Sequence, residues 1–331
     1  AMRCGMYDTA IAIGVERMQR TMNFLNKDTT RITALNPDLF RYQSAIQSSV
    51  SKEYNRYFNH DIPVDILQSP PLCTMLQSGQ NIADMYKISR AELDSFAENS
   101  HSKYSDAWDK GFYKDEICPL AIERPVWDKD GQCDLSKHGE SVIFSRDEAA
   151  RSTSVTQLSS LPVIPGVRSY LNAPCVMTAG NSCSTNDGVS AAILMRSDRV
   201  NSLQLSPLAE IVGTSVAGIH PQVMGIGPVI AIRRLIEQHD LALSSIGRIE
   251  FNEAFASQVI ATMRELNYDL GRVNVNGGSL AIGHPLGATG IRLLGTLARE
   301  MRRSHVEYGI AAQCIGAGMG IATLLRNNEY N

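Results

Sequence analysis

Apolar residues recur along the chain with two different periods, and their order predicts the architecture. Beyond about residue 176, short apolar runs typical of strands alternate with segments whose apolar residues share one helical face. The predicted strands are Arg248 to Phe251, Val273 to Val275, Tyr308 to Gln313 and Gly320 to Leu325. Three helices are predicted: one begins at Pro228, the next covers Ala254 to Leu266, and the last has Leu293, Leu297 and Met301 on one side. This order predicts an α/β protein with a mixed sheet and a closing hairpin.

The first part of the chain is less regular. Tyr7 to Val15 is a short apolar run with β-branched residues and predicts a buried strand. From about residue 20 to 175, polar and charged residues dominate and predict an inserted, irregular subdomain. Within it, Ser89-Arg90-Ala91-Glu92 has the form of a capping box and predicts a helix that stops near Gly111. The run Gly188 to Met195 fits a helix or a strand equally well.

Composition and charge exclude several classes of protein. Of 331 residues, 44% are hydrophobic and 20% charged, which is ordinary for a soluble globular chain. The formal net charge is −3, so electrostatics gives no reason to expect nucleic acid or an anionic membrane as partner. No apolar run reaches the roughly 18 residues that span a bilayer, and the start lacks a signal-peptide layout. We therefore expect a cytoplasmic protein.

The cysteines are seven in number and include no C-x-x-C pair. They are Cys4, Cys73, Cys118, Cys133, Cys175, Cys183 and Cys314. Such an odd, scattered set argues against a disulfide framework and against a metal site. All but Cys314 are expected to be small buried residues in a reducing compartment.

A glycine-rich segment, Asn274 to Gly290, surrounds His284. Its glycines permit close approach of the backbone to a ligand. A histidine just before a helix feels the positive end of the helix dipole, which lowers its pKa and favours the neutral ring. Such a ring can take a proton or donate a hydrogen bond to an oxyanion. The alternative is a structural histidine in a glycine-rich turn.

Cys314 begins a second glycine-rich loop that runs to Gly320. The glycine spacing suggests a dinucleotide site, but a strand is predicted to follow where a phosphate would need the N-terminus of a helix. A better interpretation places Cys314 at a strand end, in a turn whose N–H groups hold an oxyanion and favour the thiolate. The alternative is an inert buried cysteine.

Asn252 lies at a predicted strand-to-helix junction, where it could cap the helix or polarise a carbonyl. Together with His284 and Cys314 it supplies a polariser, a base and a thiol, each at the end of a strand. Ligands of open α/β sheets bind outside the carboxyl ends of the strands. The three residues therefore predict acyl-transfer chemistry on thioesters.

These loops resemble those of the thiolase family, and the likeness runs from about residue 3 to 326. The matching segments are ISRAELDSFAENSH (88–101), TAGNSCSTNDG (178–188), MGIGPVIAIR (224–233), FNEAFA (251–256), NVNGGSLAIGHPLGATG (274–290) and CIGAGMG (314–320). The resemblance implies a five-layered αβαβα fold with an inserted loop domain that binds coenzyme A. It implies these domains: a remnant of the N-terminal half (1–18), the loop domain (19–186), a return to the N-terminal half (187–207) and the C-terminal half (208–331).

The resemblance also implies an activity. Family members are acyltransferases, among them enzymes of fatty acid metabolism, that make or cleave 3-ketoacyl-CoA by Claisen condensation or its reverse. They act on acyl-CoA and coenzyme A as substrates, usually as homo-oligomers (dimers or tetramers), with no tightly bound cofactor or metal. Acyl chain length and the natural direction of the reaction stay open.

Residue roles follow by motif from the same resemblance. His284 would activate the nucleophile and, with a water held by Asn252, form one oxyanion hole. Cys314 would move the α-proton of the incoming acyl-CoA, and the Gly316 amide would contribute to a second oxyanion hole. The channel for the pantetheine arm would be formed by Met75, Cys183, Ala254 and Phe255.

Two departures from the family pattern matter. The family's acyl-accepting cysteine lies in a loop upstream of the segment that residues 3–18 resemble, and this chain does not contain that loop. We therefore expect a truncated or partial thiolase, whose missing segment is lost or supplied by another polypeptide. The alternative is a catalytically inactive thiolase-fold protein that binds acyl-CoA or a partner subunit. The second departure is Cys183-Ser184, where the family more often has Ser-Gly.

Overall fold

The computed structural model describes residues 2–18, 56–67, 74–124, 126–127 and 136–329. Its strands are β1 (Thr9–Glu16), β2 (Leu120–Glu123), β3 (Ser141–Phe144), β4 (Gly188–Met195), β5 (Glu210–Gly218), β6 (Ile246–Phe251), β7 (Tyr308–Ile315) and β8 (Met319–Arg326). Its α-helices are α1 (Val64–Leu67), α2 (Met75–Met85), α3 (Arg90–Asp109), α4 (Val155–Ser159), α5 (Ser197–Ser202), α6 (Gly227–Gln238), α7 (Ala256–Leu266), α8 (Ser279–Ile282) and α9 (Leu286–Arg303). The α/β class and the closing hairpin are as predicted.

The main sheet has four strands in the order β5-β8-β7-β6. Only β6 and β7 run parallel; β8 is antiparallel to both of its neighbours, so the sheet is mixed. Alternate residues of β7 face opposite sides. Ile310 and Ala312 join the core formed with α6 and α7, whereas Ala311 packs with Leu297 of α9. The sheet is therefore covered by helices on both faces.

A second sheet pairs β1 with β4 in antiparallel register, which settles Gly188–Met195 as a strand. Helix α9 covers one side of this pair. The other side exposes Ile11 and its cross-strand partner Ile193, which are 67% and 71% exposed. The strand at the start of the chain is correctly predicted, but its side chains are more exposed than expected. The two strands join segments on either side of the predicted loop domain, whose limits stay a prediction.

Helix α3 follows the local sequence signals. The Ser89 side chain accepts a hydrogen bond from the Glu92 N–H at 3.3 Å, and Gly111 follows the helix with a φ of +73°. Only half of the capping box forms, because the Glu92 carboxylate pairs with Arg264 of α7 instead of turning back to Ser89. The predicted helix start and stop are confirmed.

The predicted strand at Val273 to Val275 is wrong. Val273 makes one isolated parallel bridge to Ile249, and the next residue, Asn274, takes a φ of +45°. Such a backbone leaves the strand conformation. The Asn274 side chain then bonds the Phe251 N–H and C=O, at 2.7 and 2.8 Å, in place of a strand ladder.

The cysteines are less buried than expected. Cys4 and Cys118 are exposed, while Cys175, Cys183 and Cys314 are half-buried; all five are free thiols. Cys73 and Cys133 lie outside the described residues. Among the residues that are described, no cluster of His, Cys, Asp and Glu is suited to hold a metal ion, and no helix has the length and apolarity to cross a bilayer.

Candidate active site

The end of the parallel pair β6 and β7 brings Asn252 and Cys314 to one edge of the sheet. The Asn252 N–H donates to the Ala312 C=O at 2.9 Å, directly after the last residue of β6. Helix α7 begins at Ala256, and Phe255 is its N-cap residue, without a side-chain hydrogen bond to the helix. Asn252 therefore does not cap this helix, and its buried side chain is available for the site.

His284 lies between the short helix α8 and the long helix α9. Its backbone N–H donates to the Ser184 C=O at 3.3 Å, which fastens this loop to the segment that precedes β4. Its ring reaches Asn252, with 3.1 Å between His284 Nε2 and Asn252 Nδ2. Gly283 is needed for this approach because its φ is +91° and a Cβ there would overlap the side chain of Asn186.

Hydrogen bonds at both ring nitrogens define the tautomer of His284. The Thr289 hydroxyl donates its single proton to the Pro285 C=O at 2.8 Å, so it can only accept from His284 Nδ1–H, which lies 2.7 Å away. The proton is therefore on Nδ1, and the Nε2 lone pair accepts from the Asn252 amide. This arrangement leaves Nε2 as the basic atom of the site.

Burial lowers the pKa of His284 to about 4, and the positive charge of Arg292 lowers it further in the same direction. The ring is neutral at neutral pH, as the sequence predicted. The cause is different: desolvation disfavours the imidazolium, and the nearby charge is a guanidinium rather than a helix dipole.

Cys314 packs against Ala254, Phe255 and Cys183 in a small apolar cluster at the sheet edge. Burial raises the pKa of Cys314 to about 11 and outweighs the opposing effect of the neighbouring Gln258 side chain and a backbone N–H. The prediction that this turn favours the thiolate is therefore wrong. The group is a neutral thiol, because the apolar cluster removes the water that would solvate a charged sulfur.

The loop from Gly316 to Gly318 joins β7 to β8 in a tight turn. Ala317 and Gly318 both have positive φ, of 67° and 93°, and the Gly318 C=O accepts from the Ile219 N–H at 2.8 Å. Gly316 is exposed, and within the described chain its N–H donates to no protein acceptor. A strand follows the loop directly, so the rejection of a dinucleotide site is in keeping with the fold.

The residues expected to form a channel lie around the same edge. The Cys183 N–H donates to the Ala254 C=O at 3.0 Å, and Ser182 forms an isolated antiparallel β-bridge with Phe255. Met75 begins α2, and its methyl group lies next to Gly316. Burial raises the pKa of Cys183 to about 12, so this thiol is also neutral. All eight residues predicted for the site thus lie on segments that meet here.

Sequence reasoning missed the residues that hold these groups. Glu253 is buried and accepts from Ser100 Oγ, Asn274 Nδ2 and the Leu280 N–H, at 2.6, 2.8 and 3.1 Å. It ties α3 to the glycine-rich segment that carries His284. Thr289 and Ser279 were also missed. A hydroxyl one turn into the helix that follows His284 is the one signal that could have found Thr289.

Comparisons with known proteins agree with these segments. The family models described as "Thiolase, N-terminal domain" and "Thiolase, C-terminal domain" match residues 1–198 and 205–327. The 3-ketoacyl-CoA thiolase of Bacillus subtilis is 36% identical over 318 residues, which are 96% of this chain and 71% of that protein.

Solved structures give the same result. The dimeric peroxisomal thiolase of Saccharomyces cerevisiae matches with a TM-score of 0.72 and 29% identity, over 99% of this chain and 71% of that one. Human mitochondrial 3-ketoacyl-CoA thiolase in complex with CoA matches with a TM-score of 0.71 and 28% identity, over 97% of this chain and 71% of that one.

Proposed function

Because the chain belongs to the thiolase family, we propose that it catalyses thiolase-type acyl transfer, the Claisen condensation of acyl-CoA or the thiolytic cleavage of 3-ketoacyl-CoA. The observation that carries this proposal is the hydrogen bond between Asn252 and His284 at the sheet edge that also holds Cys314. A neutral base, a carboxamide and a thiol are the groups that enolate chemistry at a thioester requires.

Each group has a chemical role in this proposal. The Nε2 lone pair of His284 takes a proton from the attacking thiol and then, as an N–H donor, shares the developing oxyanion with a water held by Asn252. The exposed Gly316 N–H donates to the second oxyanion. In condensation, Cys314 as thiolate takes the α-proton of the acyl-CoA; in cleavage, its thiol returns a proton to the α-carbon. The raised pKa of Cys314 provides the form needed for cleavage.

The substrate is an acyl-CoA, with coenzyme A as the second substrate or product and no tightly bound cofactor. The segments that carry Met75, Cys183, Ala254 and Phe255 would line the path of the pantetheine arm, since the last three lie in one apolar cluster with Cys314 and Met75 lies next to Gly316. The human relative solved with CoA supports this assignment. A role in fatty acid metabolism, a cytoplasmic location and a homo-oligomer are part of the same proposal, the last supported by the dimeric yeast relative.

Exchange of the α-protons of acetyl-CoA in D2O tests this proposal directly. Breaking the C–H bond needs a base and an oxyanion hole but no acyl acceptor, so the measurement isolates the groups on this chain. We expect exchange by the purified protein, and a loss of about 100-fold or more in Cys314→Ala. Cys175→Ala is the matched control, since Cys175 is also a half-buried free thiol.

Three outcomes are distinguishable by 1H NMR of the thioester methyl group. Exchange that depends on Cys314 supports the proposal, and thiolysis of acetoacetyl-CoA then measures the full reaction. Binding of acetyl-CoA without any exchange above the buffer rate would favour the inactive acyl-CoA-binding alternative. Equal exchange in wild type and Cys314→Ala would remove Cys314 from the mechanism.

A further inference from the structure

We propose that Ser279 and Arg292 are positioning residues that set the direction of the Asn252 carboxamide, and through it the tautomer of His284. This inference rests on the proposed function and deepens it. The four side chains form one chain of hydrogen bonds: Arg292 Nη2 to Ser279 Oγ at 2.9 Å, Ser279 Oγ to Asn252 Oδ1 at 2.7 Å, and Asn252 Nδ2 to His284 Nε2 at 3.1 Å.

The direction of this chain follows from Arg292. A guanidinium only donates, so Ser279 Oγ must accept from it and must send its own proton elsewhere. That proton goes to Asn252, which therefore presents its carbonyl oxygen to Ser279. The amide NH2 is left facing His284. One permanently charged donor thus orients two neutral groups beyond it.

The surroundings hold Arg292 and Ser279 in place. Ser279 and Asn252 are fully buried, so no water competes for their hydrogen bonds. The Arg292 side chain is largely buried and lies 4.0 Å from the buried carboxylate of Glu250 on β6. At the far end the chain continues from His284 Nδ1 to Thr289 and the Pro285 C=O. Each link of the series therefore has one donor and one acceptor.

Loss of the Ser279 hydroxyl removes the donor that orients the Asn252 carboxamide. Asn252 Oδ1 would lose its buried donor, and a flip of the amide would turn the oxygen toward His284 Nε2. Two acceptors would then face each other unless the ring proton moved from Nδ1 to Nε2, with the Thr289 hydroxyl turning from the Pro285 C=O to donate to Nδ1. In that tautomer Nε2 has no lone pair to offer as a base. A change of tautomer is therefore the specific signature of the proposed role.

The test is a long-range 1H–15N NMR spectrum of the histidine rings in the full chain near pH 7.5, with the His284 signals assigned from the spectrum of His284→Gln. We expect Nδ1–H in wild type and a substantial Nε2–H population in Ser279→Ala. Ser257→Ala is the matched control, because Ser257 is equally buried but donates to the Gly79 C=O at 2.9 Å. Its spectrum should match that of wild type.

Two further variants keep the result interpretable. Arg292→Lys keeps the charge beside Glu250 but has no planar fork, and should move the tautomer in the same direction if Ser279→Ala does not fold. Ser279→Thr keeps the hydroxyl and should restore Nδ1–H. An unchanged tautomer in Ser279→Ala, or Nε2–H in wild type, overturns the proposal.

The α-proton exchange of acetyl-CoA gives a second readout. We expect Ser279→Ala to slow it about 10-fold, the equivalent of one misdirected hydrogen bond at the reacting oxygen. If wild type shows no exchange at all, the proposed function fails, while the tautomer measurement still decides the role of Ser279. The two failures are therefore separable.

Discussion

Burial lowers the pKa of three described histidines, and two of them, His284 and His101, differ in the surroundings of their ring nitrogens. Both nitrogens of His284 are hydrogen-bonded. His101 on α3 is only 3% exposed, and neither of its ring nitrogens has a hydrogen-bond partner in the described structure. Burial lowers the pKa of His101 to about 4, with a smaller contribution from the positive charge of Arg151. The ring nitrogens of His284 are thus compensated, whereas His101 is a buried polar group without compensation.

His101→Phe should remove part of the loss of stability in acid. The folded-state pKa of His101 lies below the unfolded value, so the unfolded chain binds the proton more strongly once the pH falls below about 6.5. Between about pH 7.5 and pH 5 this linkage costs wild type about 2 kcal/mol that the variant does not lose. Urea unfolding at the two pH values measures the difference. An equal loss in both proteins would show that His101 is protonated or solvated in the folded state.

At the scale of elements, α6 and the β7–β8 hairpin meet through two glycines. A Cβ on Gly320 would overlap the backbone of Gly227 and Pro228 at the start of α6, and a Cβ on Gly227 would press on Met319. This close approach brings the first turn of α6 against the hairpin that carries Cys314. The hairpin can lie this close to α6 only because Gly227 and Gly320 have no side chains.

Gly320→Ala should destabilise the protein by about 1–3 kcal/mol, because the added methyl group must push rigid backbone apart. The matched control is Gly295→Ala within α9, where nothing lies within 4 Å of the added Cβ. That substitution should stabilise by up to about 1 kcal/mol through its helix propensity. Urea midpoints measured for both variants check the opposite signs. Similar effects of the two substitutions would contradict the close approach at Gly320.

On the scale of the whole molecule, the described chain is held together by α9 and Glu253. Helix α9 packs against β1 and β4 as well as β6 and β7, so it joins both sheets. Glu253 connects α3 to the glycine-rich segment that carries His284. Among the described residues, none gives the outer side of the β1–β4 pair such a cover. Its exposed apolar residues are Ile11, Ile13, Val15, Val189 and Ile193.

Replacement of the cross-strand pair Ile11 and Ile193 by threonine should reduce the apolar character of this surface without loss of strand propensity. We expect lower ANS fluorescence and weaker retention on a hydrophobic column, with little change in Tm. Leu203→Thr with Leu205→Thr removes two exposed leucines beyond β4 and serves as control. Unchanged ANS binding in the β1–β4 variant would show that the face is already covered in solution.

Local sequence signals predicted most helices and strands correctly, but they did not predict the backbone at Asn274 or the exposure of β1. The cap at Ser89, the stop at Gly111 and the strands around Cys314 were readable because short-range geometry fixes them. Val273 was misassigned because apolar alternation says nothing about Asn274, whose side chain replaces a strand partner. The exposure of Ile11 was missed for a similar reason, since a strand pattern does not show what covers its faces.

The sequence alone determined the identity of the candidate reacting groups, because glycine-rich turns and strand ends place Asn252, His284 and Cys314 by local rules. Only the tertiary structure decided their states. Desolvation sets the pKa of both His284 and Cys314, and the nearby charge of Arg292 adds to it at His284. Residues far from Asn252 in sequence, Ser279 and Arg292 among them, set the direction of the hydrogen bonds. Protonation depends on what surrounds a group in space, and this is fixed only when the chain has folded.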